Sequence, residues 1–295
     1  MKRFVFTLAI VICFAAVQNA AAVTPFPGRT FVASTGVDTN PCSRTAPCRS
    51  FGAAIAATAP GGEVIVLDSA GYGTTAISGP ISLISPSGVY AGVTVTANDG
   101  LDIAAGANDV VVLRGLTING VGGANGIVLT SGGSLYLDDV TVQNFPVSSA
   151  VGIDTGATAT AARIENCNLR RSGNGLVAHG APANIHVANS RLEDNVIGVD
   201  ATAGSSVTLV HTIVAGNSST GIGPDGGDVT VDDSTIVSNG IGIHSGSTGR
   251  ASRSLIAYNG VGVLIEAGGA FDSFGDNHLA ANTSDGSFGS TLPLH

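Results

Sequence analysis

Polar residues one repeat apart in the chain hold the side chains best suited to chemistry. Arg114, Asp138 and Glu165 fall in one column, Tyr136, Arg163 and His186 in the column beside it, and Asp139, Asn166, Asn189, His211 and Asp233 at the adjoining turn. If equivalent positions of successive repeats stack as paired strands do, these groups stand about 5 to 7 Å apart. Carboxylates that close repel, so Asp138, Asp139 and Glu165 need Arg114, Arg163 or a bound calcium ion to relieve them. The candidate catalytic patch is therefore Asp138, Asp139, Arg163, Glu165 and His186, with Asp138, Asp139 and Glu165 as the candidate calcium ligands. The competing reading is an exposed sheet face of alternating charges that needs no ligand, and motif fragments match by accident often enough to favour it.

The element that would position these groups is a repeat. A glycine followed by an aliphatic residue recurs at Gly126-Ile127, Gly152-Ile153, Gly175-Leu176, Gly198-Val199, Gly221-Ile222, Gly242-Ile243 and Gly262-Val263, a period of about 20 to 26 residues that marks a solenoid. Further apolar columns run through Leu137, Ile164, Val187, Leu209 and Val231, and through Val142, Leu169, Leu192, Val214, Ile236 and Ile256. Around each column the chain alternates polar and apolar over a few positions, which fits short strands and leaves no room for a three-turn helix. Each copy closes on Asn144, Ser172, Asn195, Asn217, Asn239, Asn259 or Asn282, where a short side chain tolerates a bend and can bond its own backbone. Stacking pairs every strand with its equivalent in the next copy. The expected fold is an all-β parallel β-helix of three-strand coils, about ten rungs long, whose ends need caps.

Composition agrees. The 295 residues include 42 glycines, one methionine and no tryptophan, so the core is built from small aliphatics. Lys2 and Arg3, the apolar run after them and Ala20-Ala21-Ala22 read as a secretory leader over residues 1–22, cleaved near Ala22. The mature product is then periplasmic or extracellular, with no membrane span. It would carry no lysine and be more acidic than the formal −9 of the whole chain. That argues against nucleic acid as a partner and against an acidic polysaccharide unless a cation intervenes. Residues 23–62 read as a first strand at 30–34, a cysteine loop and a capping helix at 51–59 with Ser50 as N-cap. Residues 63–295 read as the coils and a C-terminal cap, with Phe271, Phe274 and Phe288 offering bulk at the end. Cys42 and Cys48 flank a short loop and are expected to pair, because nothing else completes a metal site around them. Cys167 reads as a buried, inert thiol in a small-residue column.

With TFVASTGVDTNPCSRTAPCRSF, the helix followed by PGGEVIVLDSAGYG, the Asn-x-x-Gly-[Ile/Val] coils and SFGDNHLAAN, nearly all of the mature chain resembles the right-handed parallel β-helix proteins of the pectate-lyase-like superfamily. It resembles their small exported bacterial members most. The right hand is implied by that resemblance, as is action on, or binding of, an extracellular polysaccharide. A lyase of this kind would use calcium and an arginine base beside a uronate, a role in which Arg163 or Arg191 can be cast. The polygalacturonase-like motifs are missing as a set, since Asp138-Asp139, Asp232-Asp233 and His179-Gly180 are isolated fragments. Gly221, Gly223 and Gly226 match a Gly-x-Gly-x-x-Gly spacing, but no helix follows and nucleotide binding is discounted. His179 and His244 read as solvated surface residues. The reading is a carbohydrate-binding or cell-surface module without efficient catalysis and without a cofactor other than calcium. The alternatives are a polysaccharide lyase or hydrolase, and a structural or adhesive surface protein.

Overall fold

A computed structural model describes residues 26–146, 150–156, 159–180 and 184–293. The expected leader, Cys13 and His295 lie outside these residues. The chain winds through three parallel sheets, here A, B and C. One turn of the winding is Asn184–Ala188 in sheet A, Arg191–Glu193 in sheet B and Ile197–Thr202 in sheet C. The next turn begins at Ser206–Val210, again in sheet A, in parallel register with the first. Among the described residues sheet B runs from Ala70–Gly71 to His278–Ala280 and has ten strands, close to the expected rung count. Sheets A and C are joined by one long strand, Asn125–Asp138, whose first half pairs in sheet C and whose second half pairs in sheet A.

The apolar columns are the core. Leu137, Ile164, Val187, Leu209 and Val231 are register partners in sheet A and all are buried. Val142, Leu169, Leu192, Val214 and Ile236 do the same in sheet B, and Ile153, Leu176, Val199, Ile222 and Ile243 in sheet C. The glycine that precedes each sheet C aliphatic has a steric cause. A Cβ on Gly198 would lie 2.5 Å from the carbonyl oxygen of Gly221, and one on Gly221 would lie 2.6 Å from that of Gly242. Coils could not approach to strand spacing with any other residue there.

Polar side chains inside the stack are paired between coils. Asn217 Oδ1 accepts from the backbone N–H of Asn195 at 3.0 Å, and its Nδ2 donates to Leu192 O at 3.1 Å and to Asn239 Oδ1 at 2.8 Å. Asn239, Asn259 and Asn282 repeat the pattern one coil at a time. These asparagines therefore bond the neighbouring coils, where self-bonding at a bend was expected. The bend falls one residue earlier, at the left-handed Arg171, Asp194, Ser238 and Tyr258. Asn144 belongs to that bend, with φ 64°. Phe145 takes the ladder position opposite Ser172 and is fully buried. A second ladder lines the A-to-B turn, where Cys167 N donates to Ser190 Oγ, Thr212 N to Ser234 Oγ and Ser234 N to Ser254 Oγ, each at 3.1 Å. Cys167 is buried as expected, and burial pushes its thiol pKa up to about 12.

Both ends are covered. Arg29–Val32 opens sheet A by pairing with Glu63–Val66. Cys42 and Cys48 form the expected disulfide. Their loop covers the outer edge of that first strand, with Phe31 N donating to Cys42 O at 2.8 Å and Cys48 N to Phe31 O at 3.0 Å, so the edge is not left open. The helix Phe51–Ala56 starts at the expected cap, with Ser50 Oγ accepting from Ala53 N, and buries Phe51 and Ala54. It stops short of residue 59, and Thr58 Oγ1 donates to the Ala54 carbonyl at 2.6 Å. At the far end Ser273 N donates to Ser290 O and Leu292 N to Ser273 O. Phe271 is fully buried beneath Phe288, with ring centroids 6.4 Å apart, while Phe274 is half-exposed.

Candidate functional site

The expected patch is on the outer face of sheet A, and its register is as expected. Arg114, Asp138 and Glu165 are successive partners, as are Tyr136, Arg163 and His186. Asp139, Asn166, Asn189, His211 and Asp233 all occupy the left-handed turn, with φ between 44° and 55°. Asp138 and Glu165 each have an arginine partner. Arg114 Nε lies 3.0 Å from Asp138 Oδ2, Asn166 Nδ2 donates to Asp138 Oδ1 at 2.9 Å, and Arg163 bridges Glu165 on its own strand at 2.7 Å. Arg191 is bound to Glu193, whose hydrogen bonds and charge raise its pKa and oppose a role as base. Among the described residues no group of three or more His, Cys, Asp or Glu side chains is placed to hold a metal ion.

A different constellation occupies sheet C. The outward position after each glycine-aliphatic pair runs Asp154, Val177, Asp200, Gly223, His244, Leu264 through successive coils. The neighbouring outward column contains His179, Thr202, Asp225, Gly246 and Glu266. Where glycine interrupts both columns a cleft of about 180 Å³ opens, walled by Asp200, Asp225, His244 and Glu266 beside Gly223 and Gly246. His244 Nε2 lies 2.8 Å from Glu266 Oε1. Towards the N-terminal coils, His179 Nδ1 bonds Thr202 Oγ1 at 3.0 Å, and its Nε2 stands 3.5 Å from Asp154 Oδ1. That Oδ1 is buried and makes no hydrogen bond. His179 and His244 are thus engaged with carboxylates on this face, which the sequence reading did not foresee. The available signal was Gly-Ile-Asp at Asp154 and Gly-Val-Asp at Asp200, a titratable group set beside two inward residues.

Burial raises the pKa of Asp200, Asp225 raises it further, and His179 opposes the shift. Asp154 is raised mainly by burial, with His179 lowering it and Asp99 raising it. A carboxyl whose folded pKa is raised binds its proton more tightly in the native state. Its stabilising contribution is complete below the unfolded value of 3.8 and is lost as pH rises through the folded pKa. At neutral pH the Asp200 charge therefore works against folding. Asp200→Asn is expected to melt higher than the parent at pH 7, with the gain vanishing below the unfolded pKa. Thermal melts at both pH values check this, and a lower melting temperature at pH 7 would contradict it.

The three-sheet winding defines a parallel β-solenoid, with a titratable cleft on one face. Residues 99–284 match the family described as right handed beta helix region, and the chain belongs to that family. Among solved structures it is similar to the crystal structure of pectate lyase Pel9A, with a TM-score of 0.58 and 16% identity over 83% of this chain and 80% of the other. At that identity the likeness is one of fold, a pectin-lyase-like right-handed β-helix. No curated protein sequence matches the chain.

Proposed function

We propose that the protein is an exported module that binds an extracellular polysaccharide along sheet C without cleaving it efficiently. The observation that carries the reading is the cleft of about 180 Å³ between Asp200, Asp225, His244 and Glu266, a concave site with convergent polar groups on an otherwise regular face. Carboxylates accept paired hydrogen bonds from sugar hydroxyls, and Ile197 in the lining adds an apolar edge. The leader-like residues 1–22 and the Cys42–Cys48 disulfide suit export to an oxidising compartment. Lyase chemistry at Asp138, Asp139, Arg163, Glu165 and His186 is disfavoured, because Asp138 is tied to Arg114 and Arg163 to Glu165.

One observation favours hydrolysis as a second reading. Asp154 and Asp200 share a column two coils apart, about 9.6 Å at strand spacing, just beyond the roughly 6.5 to 9.5 Å that separates the carboxyls of inverting glycosidases. A glycan array run with calcium and with EDTA, followed by a reducing-end assay on the glycans retained, tests both. Calcium-independent retention without new reducing ends is the expected result. Reducing ends that disappear in Asp200→Asn would establish the hydrolase. Calcium-dependent unsaturated uronides that disappear in Arg163→Ala would establish a lyase on sheet A. No retention would leave a scaffold or adhesive role.

A further inference from the structure

We infer that the gap at Gly223 and Gly246 receives one unacetylated amino-sugar unit of the bound polysaccharide, with its ammonium group between Asp200 and Asp225. This rests on the reading of sheet C as the polysaccharide surface and adds the class of sugar. The first support is shape. The outward column carries side chains on both sides of Gly223, at Asp200 and His244, and glycine leaves a notch of about 180 Å³. The notch is open to solvent along the face, so one ring can sit in it while the rest of a chain continues along sheet C.

The second support is the chemistry of the walls. Asp200, Asp225 and Glu266 offer acceptors, and no lysine or arginine lines the cleft. Glu266 already has His244 at 2.8 Å. Asp200 and Asp225 both line the gap without a cationic partner of that kind, and the charge of Asp225 disfavours ionisation of Asp200. An ammonium group placed between them removes that repulsion. A metal ion would do the same, but among the described residues no three ligating side chains converge on one point. The fitting cation is therefore one that brings its own body and hydroxyls. N-acetylation of the amine would remove the charge and enlarge the group at once. Ile197 in the lining gives the C–H face of the ring an apolar edge.

Glycine makes the site testable without disturbing the fold. A Cβ at Gly223 meets nothing closer than 3.8 Å, and Leu264 occupies the same column two coils on. A Cβ at Gly246 approaches Asp225 Oδ1 only to 3.6 Å. The experiment is calorimetric titration at pH 6 and 0.15 M salt with a glucosamine tetrasaccharide, its fully N-acetylated counterpart and a neutral glucan tetrasaccharide. The glucosamine form is expected to bind at least about tenfold more tightly than the others, the equivalent of about 1.4 kcal/mol. Gly223→Leu should remove that preference with the melting temperature unchanged. If Gly223→Leu does not fold, Gly246→Ala and Asp225→Asn serve, each expected to weaken glucosamine binding selectively. Equal binding of all three sugars, lost in Gly223→Leu, would overturn the amino-sugar inference and leave the polysaccharide reading intact. Glucosamine binding untouched by every cleft variant would assign it to the general acidity of the protein and overturn the site. Binding of none by the parent protein would remove both.

Discussion

Ile222→Asp is expected to abolish cooperative folding of the stack and to do more than loosen one coil. Ile222 is fully buried and stands in register between Val199 and Ile243. The backbone there cannot spread to admit water, because Gly221 packs against the next coil at glycine-only distance. An unpaired carboxylate in this position carries an effective cost of several kcal/mol, comparable with the roughly 5 to 15 kcal/mol that holds a whole domain together. Each coil buries its apolar stripe only against its neighbours, so a break in the middle also exposes the facing stripes of the coils on either side. The measurement is a far-UV circular dichroism melt alongside Val196→Asp, whose parent side chain is 37% exposed and whose change should stay within about 0.5 kcal/mol. A cooperative Ile222→Asp transition near the parental temperature would reject the register.

The parts of the structure that were legible in the sequence are those that repeat. A column read across several coils averages out local irregularity, which is why Leu209, Val214 and Ile222 were assigned to three different sheets from spacing alone. The cysteine loop and the Ser50 cap were legible for another reason, since each is a local motif whose partners lie within a few residues. The asparagine column was found, but its bonding was not. Whether an asparagine bonds its own turn or the next coil depends on how far apart the coils sit, and spacing in sequence does not contain that distance. The slip at Asn144 has the same origin, since in that coil the aromatic Phe145 fills the space that asparagine occupies elsewhere.

The sheet C cleft was illegible for a different physical reason. It is made by missing side chains, at Gly223 and Gly246, and in a chain with 42 glycines two more carry no signal. The polar groups around it come from four successive coils, so no short motif collects them. The sheet A patch stood out because its charges are adjacent in sequence, as in Asp138-Asp139 and Arg163–Glu165. Arg163 and Glu165 pair within their own strand, Asp138 pairs with Arg114 one coil away, and little of either pair is left for a ligand. Charge density in sequence and availability in space are here opposed.

Asn217→Leu should be the most damaging near-isosteric change in the stack. Leucine fills about the same volume but withdraws an acceptor from Asn195 N–H and donors from Leu192 O and Asn239 Oδ1. Asn217 is fully buried, so water cannot replace it. Asn239 Oδ1 keeps the Asn217 backbone N–H at 3.0 Å, but the Asn195 N–H loses its acceptor, and a stranded buried group costs about 1 to 3 kcal/mol. Asn282 tests the same chemistry where water can help. It ends the ladder, is half-exposed, and bonds Asp285 Oδ1 at 2.9 Å instead of another buried amide. Asn282→Leu should therefore cost less than half as much in urea denaturation. Asn217→Asp should be at least as harmful as Asn217→Leu, because it keeps the acceptor, loses both donors and brings a charge into the core. If the leucine variants at 217 and 282 denature at the same urea concentration, the cross-coil bonds contribute no more inside the stack than at its end, and the ladder is a consequence of coil stacking instead of a cause of it.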